Sequence, residues 1–124
     1  MRNSLFLLIL ICGFSSCKPK DDCETIPSEV SFSNAVQPIF DRSCNSSGCH
    51  QGNSPAGGLD LTSAKAYDQL SSIGSGYVKA GNSAGSLLYL QMNSITNPMP
   101  PTGKLDACEI NLVKSWIDQG GLEN

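Results

Sequence analysis

The chain contains a single histidine, His50, and this residue directly follows a cysteine, Cys49. A second cysteine, Cys44, precedes Cys49 with four residues between them. A cysteine followed at once by a histidine is the reactive part of the c-type haem attachment motif, because the thiol adds to a haem vinyl group and the imidazole binds the iron. The usual motif has two residues between its cysteines. The longer spacing departs from it, although the intervening Ser-Ser-Gly is flexible enough to bridge two vinyl groups.

Two other interpretations of the same residues stay open at this point. Cys44 and Cys49 could be the two halves of a disulfide, with His50 incidental. Alternatively, these three residues and Cys108 could form a structural zinc site of the Cys3His type. Zinc thiolates are less expected in an exported, oxidising compartment than in the cytosol.

A second iron ligand is expected opposite His50, and in electron-transfer haem proteins this ligand is commonly a methionine. Met99 lies between prolines, which hold its backbone extended in advance. Met92 lies late in a leucine-rich helical stretch, where core packing explains it better. We therefore predict Met99 as the distal ligand in preference to Met92. Because the chain has no second histidine, ligation by two of its own histidines is excluded.

The first residues of the chain have the pattern of an export signal. Arg2 precedes an apolar run over residues 5–14, which is too short for a membrane span of about 20 residues, and we predict a signal peptide over residues 1–16. Small residues then lead into Cys17, in an arrangement that resembles the lipobox of bacterial lipoproteins. An ordinary signal peptide with a nearby cysteine is the alternative. We expect Cys17 to be acylated and residues 17–31 to form a tether.

Export places the chain in an oxidising compartment, facing the periplasm or the cell surface, with the membrane reached through the lipid anchor. The cysteines of the mature domain are then expected to be covalently occupied. If Cys44 and Cys49 both hold haem, Cys23 and Cys108 remain to form a disulfide. If Cys44 is not a thioether, it could pair with either of them.

The elements that must position these residues are helical. The chain of 124 residues is one domain's worth, and its 12 glycines and 7 prolines require long loops. We predict an all-α domain over residues 32–122, with about four short helices around one haem that fills an otherwise underpacked centre. The helices are predicted from a Ser33 cap to about Ser43, from Thr62 to Leu70, from a Ser86 cap to Met92, and from an Asp106–Glu109 capping box to Gly120.

Six segments in order resemble the planctomycete-type cytochrome c domain, in the form seen in Bacteroidetes lipoproteins. They are residues 36–40, 44–50, 57–61, 81–88, 99–101 and 109–120. The resemblance implies a small all-α cytochrome c fold that binds haem and transfers electrons. In this reading, residues 44–50 bind the haem and Met99 lies in the distal-ligand loop.

We therefore expect a single-haem c-type cytochrome domain that transfers one electron at a time in the cell envelope. Its expected cofactor is one haem c, held by Cys44, Cys49, His50 and Met99, and its expected partner is a redox protein of the same envelope. An enzymatic, peroxidase-like role is less expected because both axial positions are assigned. The net charge of −3 and the lack of a basic cluster argue against nucleic acid. The alternative is a disulfide-stapled exported binding or assembly module without haem.

Overall fold

The computed structural model describes Cys23 and residues 25–124. Within this part, the chain forms four α-helices and no β-strand, which confirms the predicted all-α class. The helices are α1 (Gln37–Ser43), α2 (Ala66–Ser71), α3 (Leu87–Asn93) and α4 (Ala107–Asp118). A π-helical turn (Phe32–Val36) leads into α1, and short 3-10 turns occur at Ala56–Gly58 and Ser83–Gly85. The predicted signal peptide and the predicted lipidation site, Cys17, lie outside the described residues.

The last helix, α4, has both of its predicted end signals. At the start, Asp106 Oδ1 accepts a hydrogen bond from the Cys108 N–H at 2.8 Å, and Glu109 Oε2 accepts one from the Asp106 N–H at 3.3 Å. At the end, the Gly121 N–H donates to the Trp116 carbonyl at 2.9 Å, and Gly120 before it has φ +110°. This bond is the long closing bond of a Schellman motif, which favours glycine because of its left-handed backbone.

The core is organised around the aromatic side chains that α4 meets. Trp116 is 1% exposed, and its ring centroid lies 5.1 Å from that of Phe32 in the turn before α1. Phe32 also packs edge-on against Tyr67 of α2, at 5.3 Å between centroids. Burial of one such side chain stabilises the fold by about 1.5–3 kcal/mol. These contacts join α2 and α4 to the turn that leads into α1.

The predicted cap at Ser33 is wrong, whereas Ser86 is the N-cap residue of α3 as predicted but makes no side-chain capping bond. The first cap is Ser31, whose Oγ accepts from the Asn34 N–H at 3.2 Å. The predicted cap, Ser33, instead donates its N–H and Oγ to the Asn124 carbonyl. Ser86 is fully buried, and its Oγ accepts from the Lys79 N–H at 2.8 Å, so it makes no capping bond to α3.

Helix α2 begins four residues later than predicted. Thr62 does not start the helix, because its N–H and Oγ1 both donate to Asp60 Oδ1, at 3.0 and 2.6 Å. The chain from Thr62 first makes a turn, in which the N–H groups of Lys65 and Ala66 both donate to the Thr62 carbonyl. The apolar positions Ala66 and Leu70 are buried as their spacing predicted.

Packed residues also lie outside the predicted domain range of 32–122. Val30, placed in the predicted tether, is 2% exposed and belongs to the core. Its N–H donates to Gln119 Oε1 at 2.7 Å, and Gln119 Nε2 donates to the Pro27 carbonyl at 3.1 Å. At the other end, Asn124 Oδ1 accepts from the Phe32 N–H at 2.8 Å. An apolar side chain with satisfied backbone groups therefore fixes the end of the tether on α4.

Cys23 and Cys108 form a disulfide across 85 residues of sequence, with their Cα atoms 5.2 Å apart. This pairing is the one expected from the sequence if Cys44 and Cys49 both hold haem. It ties the segment before the domain to the first turn of α4, and a disulfide of this kind typically stabilises a small domain by roughly 2–4 kcal/mol. None of the described helices has the length and hydropathy needed to cross a bilayer.

Candidate functional site

An apolar cleft of about 270 Å³ opens between the loops that follow α1, helix α3 and the loop that precedes α4. Four of its lining residues are those predicted to hold haem: Cys44, Cys49, His50 and Met99. None of the lining side chains carries a carboxylate, an amine or a guanidinium group. The remaining lining residues are Ser43, Gly48, Ala56, Gly57, Leu59, Leu61, Tyr77, Leu87, Leu88, Gln91, Met92, Pro100 and Pro101. Such a cleft suits a flat and largely apolar molecule.

The four-residue spacing between the two cysteines forms a closed loop. The His50 N–H donates to the Cys44 carbonyl at 3.1 Å, and the Cys49 N–H donates to the Ser46 carbonyl at 2.9 Å. Gly48 adopts φ +82°, a backbone conformation that side chains strongly disfavour. The loop brings both thiols to the same cleft, and the longer spacing therefore still presents two cysteines to one ligand.

Both thiols are free, which bears on the alternatives that the sequence left open. Within the described residues, neither Cys44 nor Cys49 has a disulfide partner. The sulfur of Cys108 is bonded to Cys23, so it is not available to the Cys3His zinc site. Across Cys23 and residues 25–124, no group of three or more histidine, cysteine or acidic residues is arranged to hold a metal ion.

The thiol of Cys44 has a raised pKa. It is half-buried at the end of α1, and burial raises its pKa from 9.0 to about 11. The negative charge of Glu109 adds to this rise, followed by Cys49. At neutral pH, Cys44 is therefore a protonated thiol with little tendency to react as a thiolate.

His50 is held by its own loop and by the chain after it. Its Nδ1 lies 3.1 Å from the Leu59 carbonyl oxygen. A carbonyl only accepts hydrogen bonds, so this contact requires the proton on Nδ1 and leaves the lone pair on Nε2. The Leu61 N–H donates to the His50 carbonyl at 2.8 Å and fixes the two segments side by side. The imidazole is thus prepared to bind a metal through Nε2.

Sequence reasoning missed the role of Leu59 and of the residue after it, Asp60. The Asp60 side chain is 3% exposed and accepts three hydrogen bonds: two from Thr62 and one from Lys65 Nζ at 3.0 Å. Hydrogen bonds from Thr62, then the one from Lys65, lower the pKa of Asp60 from 3.8 to about 2. The sequence signal was present as the Gly-Gly-Leu-Asp-Leu segment, but no periodicity or motif linked it to the histidine.

The cleft contains both methionines that the sequence considered. Met99 is 39% exposed and lies in the loop before α4, where its N–H donates to the Gln91 carbonyl at 3.1 Å. Met92 is 3% exposed and belongs to the hydrophobic core as part of α3. The structure therefore gives Met92 a packing role and leaves the Met99 side chain with fewer contacts inside the protein.

The low pKa of Asp60 predicts an acid-dependent loss of stability. Because the folded-state pKa lies below the ordinary value, the charged carboxylate stabilises the folded state above about pH 4, and this contribution is lost as the pH falls towards 2. Asp60→Asn is therefore expected to lower Tm at pH 6, with a difference from wild type that shrinks between pH 4 and pH 2. Thermal unfolding across this range measures it. The matched control is Asp68→Asn, which removes an exposed carboxylate of α2. An equal Asp60→Asn difference at pH 6 and pH 2 would contradict the assignment.

One comparison with known proteins gives a match. The sequence model of the family described as planctomycete cytochrome C matches residues 47–103, a segment that includes Cys49, His50 and Met99 and begins three residues after Cys44. Neither the curated proteins nor the solved structures contain a significant match to this chain. The family match confirms the resemblance predicted from the sequence and indicates a haem-binding electron-transfer domain. Residues 47–103 are therefore similar to a planctomycete-type cytochrome c domain.

Proposed function

We propose that the protein is a single-haem c-type cytochrome that transfers one electron at a time in the cell envelope. The observation that carries this proposal is the composition of one cleft. Two free thiols, an imidazole with its Nε2 lone pair available, and an under-packed methionine all line the same apolar space. These are the groups that attach and ligate haem c.

The two cysteines attach the cofactor covalently. Cys49 and Cys44 would hold haem c through thioethers, in which each sulfur bonds to one vinyl carbon and the thiol hydrogen moves to the other vinyl carbon. No oxidant or leaving group is needed for this addition. Because His50 directly follows Cys49, one attachment point and the axial ligand come from adjacent residues.

The remaining residues hold the iron and shield it from water. His50 Nε2 and the Met99 sulfur would hold the iron of a bound haem, and ligation by histidine and methionine raises the reduction potential. Haem c supplies one-electron Fe(III)/Fe(II) chemistry when it is bound. The apolar side chains of the cleft exclude water and lower the local dielectric constant, which keeps the potential high. Because two side chains of the chain would hold the iron, a bound haem would serve electron transfer and would have no open position for a substrate.

The remaining parts of the proposal concern the location of the protein and its partner. Cys17 is the acylated residue of the mature chain and anchors it to the membrane, and residues after it form the tether to the domain. The partner is a redox protein of the same envelope. Cys23 and Cys108 stabilise the domain without occupying the thiols of the cleft, which is the division of cysteines that haem attachment needs.

Attachment is tested on protein matured by a c-type cytochrome maturation system. The intact mass of the denatured wild type is expected to include one haem, since thioethers survive denaturation. Cys49→Ala is expected to lose most of the covalent haem, while Cys44→Ala keeps one thioether and shifts the pyridine haemochrome band towards the single-thioether position. The double variant Cys23→Ala/Cys108→Ala is the control and is expected to retain the haem.

An absence of haem from the wild type would contradict the proposal if a known cytochrome matures in the same cells. The alternative, a disulfide-stapled binding or assembly module, would then replace it.

The two methionines allow a matched test of the distal ligand. Met99→Leu removes the sulfur at the predicted ligand, and Met92→Leu removes it at the buried core position with similar volume. We expect Met99→Leu to lower the reduction potential by about 0.1 V or more, within the roughly 0.8 V range that axial ligands span. Met92→Leu is expected to leave the potential close to that of wild type and to cost less than about 1.5 kcal/mol of stability. The reverse pattern, measured by spectroelectrochemistry, would assign Met92 as the ligand.

A further inference from the structure

We infer that Gln69 of α2 is a positioning residue for His50, and that it acts through the peptide group between Leu59 and Asp60. This inference rests on the proposed role of His50 as an iron ligand. It assigns a function in the haem site to a side chain that does not line the cleft.

One planar peptide group connects the two side chains. Its carbonyl, from Leu59, lies 3.1 Å from His50 Nδ1, and its N–H, from Asp60, donates to Gln69 Oε1 at 2.7 Å. The C=O and N–H of a trans peptide lie in one plane and point in opposite directions. A bond at one side therefore fixes the orientation of the other, and hydrogen bonds in such a chain polarise one another.

The residues before Leu59 do not fix this plane by themselves. Gly57 and Gly58 have φ values of +63° and +72°, in the region where glycine has the most freedom. The Leu59 N–H makes only a long bond, 3.3 Å, to the Ala56 carbonyl. The orientation of the Leu59 carbonyl therefore depends on the buried Leu59 side chain and on the residues that follow it.

The residues that follow this peptide group are held in place by several hydrogen bonds. The buried Asp60 carboxylate accepts bonds from Thr62 and Lys65, and the Leu61 carbonyl accepts from Gln37 Nε2 at 2.9 Å and from Asn45 Nδ2 at 2.8 Å. These contacts fix where the segment runs. Gln69 is the partner that binds the peptide N–H itself, so it determines how strongly the carbonyl accepts from the imidazole.

The consequence concerns the electron-donor strength of His50. A stronger Nδ1–H···O=C bond gives the imidazole more imidazolate character, and Nε2 then donates more strongly and favours Fe(III). Loss of the Gln69 bond weakens this polarisation. The reduction potential is therefore expected to rise when the acceptor on Gln69 is removed.

The test compares two glutamines that make the same bond in different places. Gln69→Leu removes the acceptor of the Asp60 N–H, and Gln119→Leu removes the acceptor of the Val30 N–H, which is also at 2.7 Å but far along the chain from the cleft. Leucine is a strong helix former, so α2 is expected to remain folded. Gln69→Glu keeps an acceptor oxygen and serves as the conservative variant.

In haem-loaded full-length protein, Gln69→Leu is expected to shift the Fe(III)/Fe(II) equilibrium roughly threefold towards Fe(II), which is about 28 mV upward at 59 mV per tenfold for one electron. Gln119→Leu and Gln69→Glu are expected not to raise the potential. If the Gln69→Leu and Gln119→Leu variants had the same reduction potential, the inference would be overturned, even if both variants were less stable than wild type.

A second measurement separates this inference from the proposed function. In the full-length chain expressed without haem maturation, ¹⁵N NMR of the single histidine reports which ring nitrogen carries the proton. Wild type is expected to show the Nδ1–H form, and Gln69→Leu to show an increased share of the Nε2–H form. An unchanged tautomer in Gln69→Leu would overturn the inference, whereas a failure to bind haem would overturn only the proposed function.

Discussion

The hydrogen bond between His50 Nδ1 and the Leu59 carbonyl is the constraint on which the rest of this structure depends. A histidine can present only one nitrogen lone pair when neutral, so the partner of Nδ1 decides whether Nε2 is available in the cleft. The loop from Cys44 to His50, the segment around Asp60 and helix α2 all meet at this bond. Moving any of them would turn the imidazole or change its tautomer. This constraint gives a reason for the many hydrogen bonds around Leu59 and Asp60 in a site whose cleft is apolar.

The structure separates the task of stability from the task of ligand binding. The aromatic cluster of Phe32, Tyr67 and Trp116 and the Cys23–Cys108 disulfide do not line the cleft that contains the two free thiols. A domain this small has a limited apolar core and commonly needs a covalent or cofactor staple. Here the Cys23–Cys108 disulfide supplies one staple, and the cleft retains its own two cysteines. The haem proposed for the cleft would supply the second.

The sequence predicted the elements whose signals are local and missed the contacts that depend on distant residues. The capping box of α4 and its terminal glycines lie within one helix, and they were found correctly. Ser33 precedes an apolar helical face, which predicts a cap there, yet Ser31 is the cap and Ser33 bonds to the carbonyl of Asn124, ninety-one residues away. No periodic pattern in the sequence indicates a hydrogen bond between Ser33 and a residue so far along the chain.

The same difference between local signals and distant contacts applies to the candidate haem site. Residue types and adjacency pointed to Cys44, Cys49, His50 and Met99, and the structure brings all four to one cleft. The residues that orient the histidine, Leu59 through its carbonyl and Gln69 through its amide, could not be predicted. A backbone carbonyl has no sequence signature, and a glutamine on a short helix is ordinarily a solvated side chain.

The most direct test of the central claim is whether His50 and Met99 lie on opposite faces of one haem. A chain labelled with ¹³C at its methionine methyl groups gives one signal for Met92 and one for Met99 in the mature protein. In the reduced, diamagnetic state, a methyl group directly above a porphyrin is shifted strongly upfield by the ring current. The account predicts this shift for Met99, together with upfield His50 ring protons, and a methyl position near the ordinary range for Met92. Two methionine signals near the ordinary range in the haem-loaded protein would contradict it.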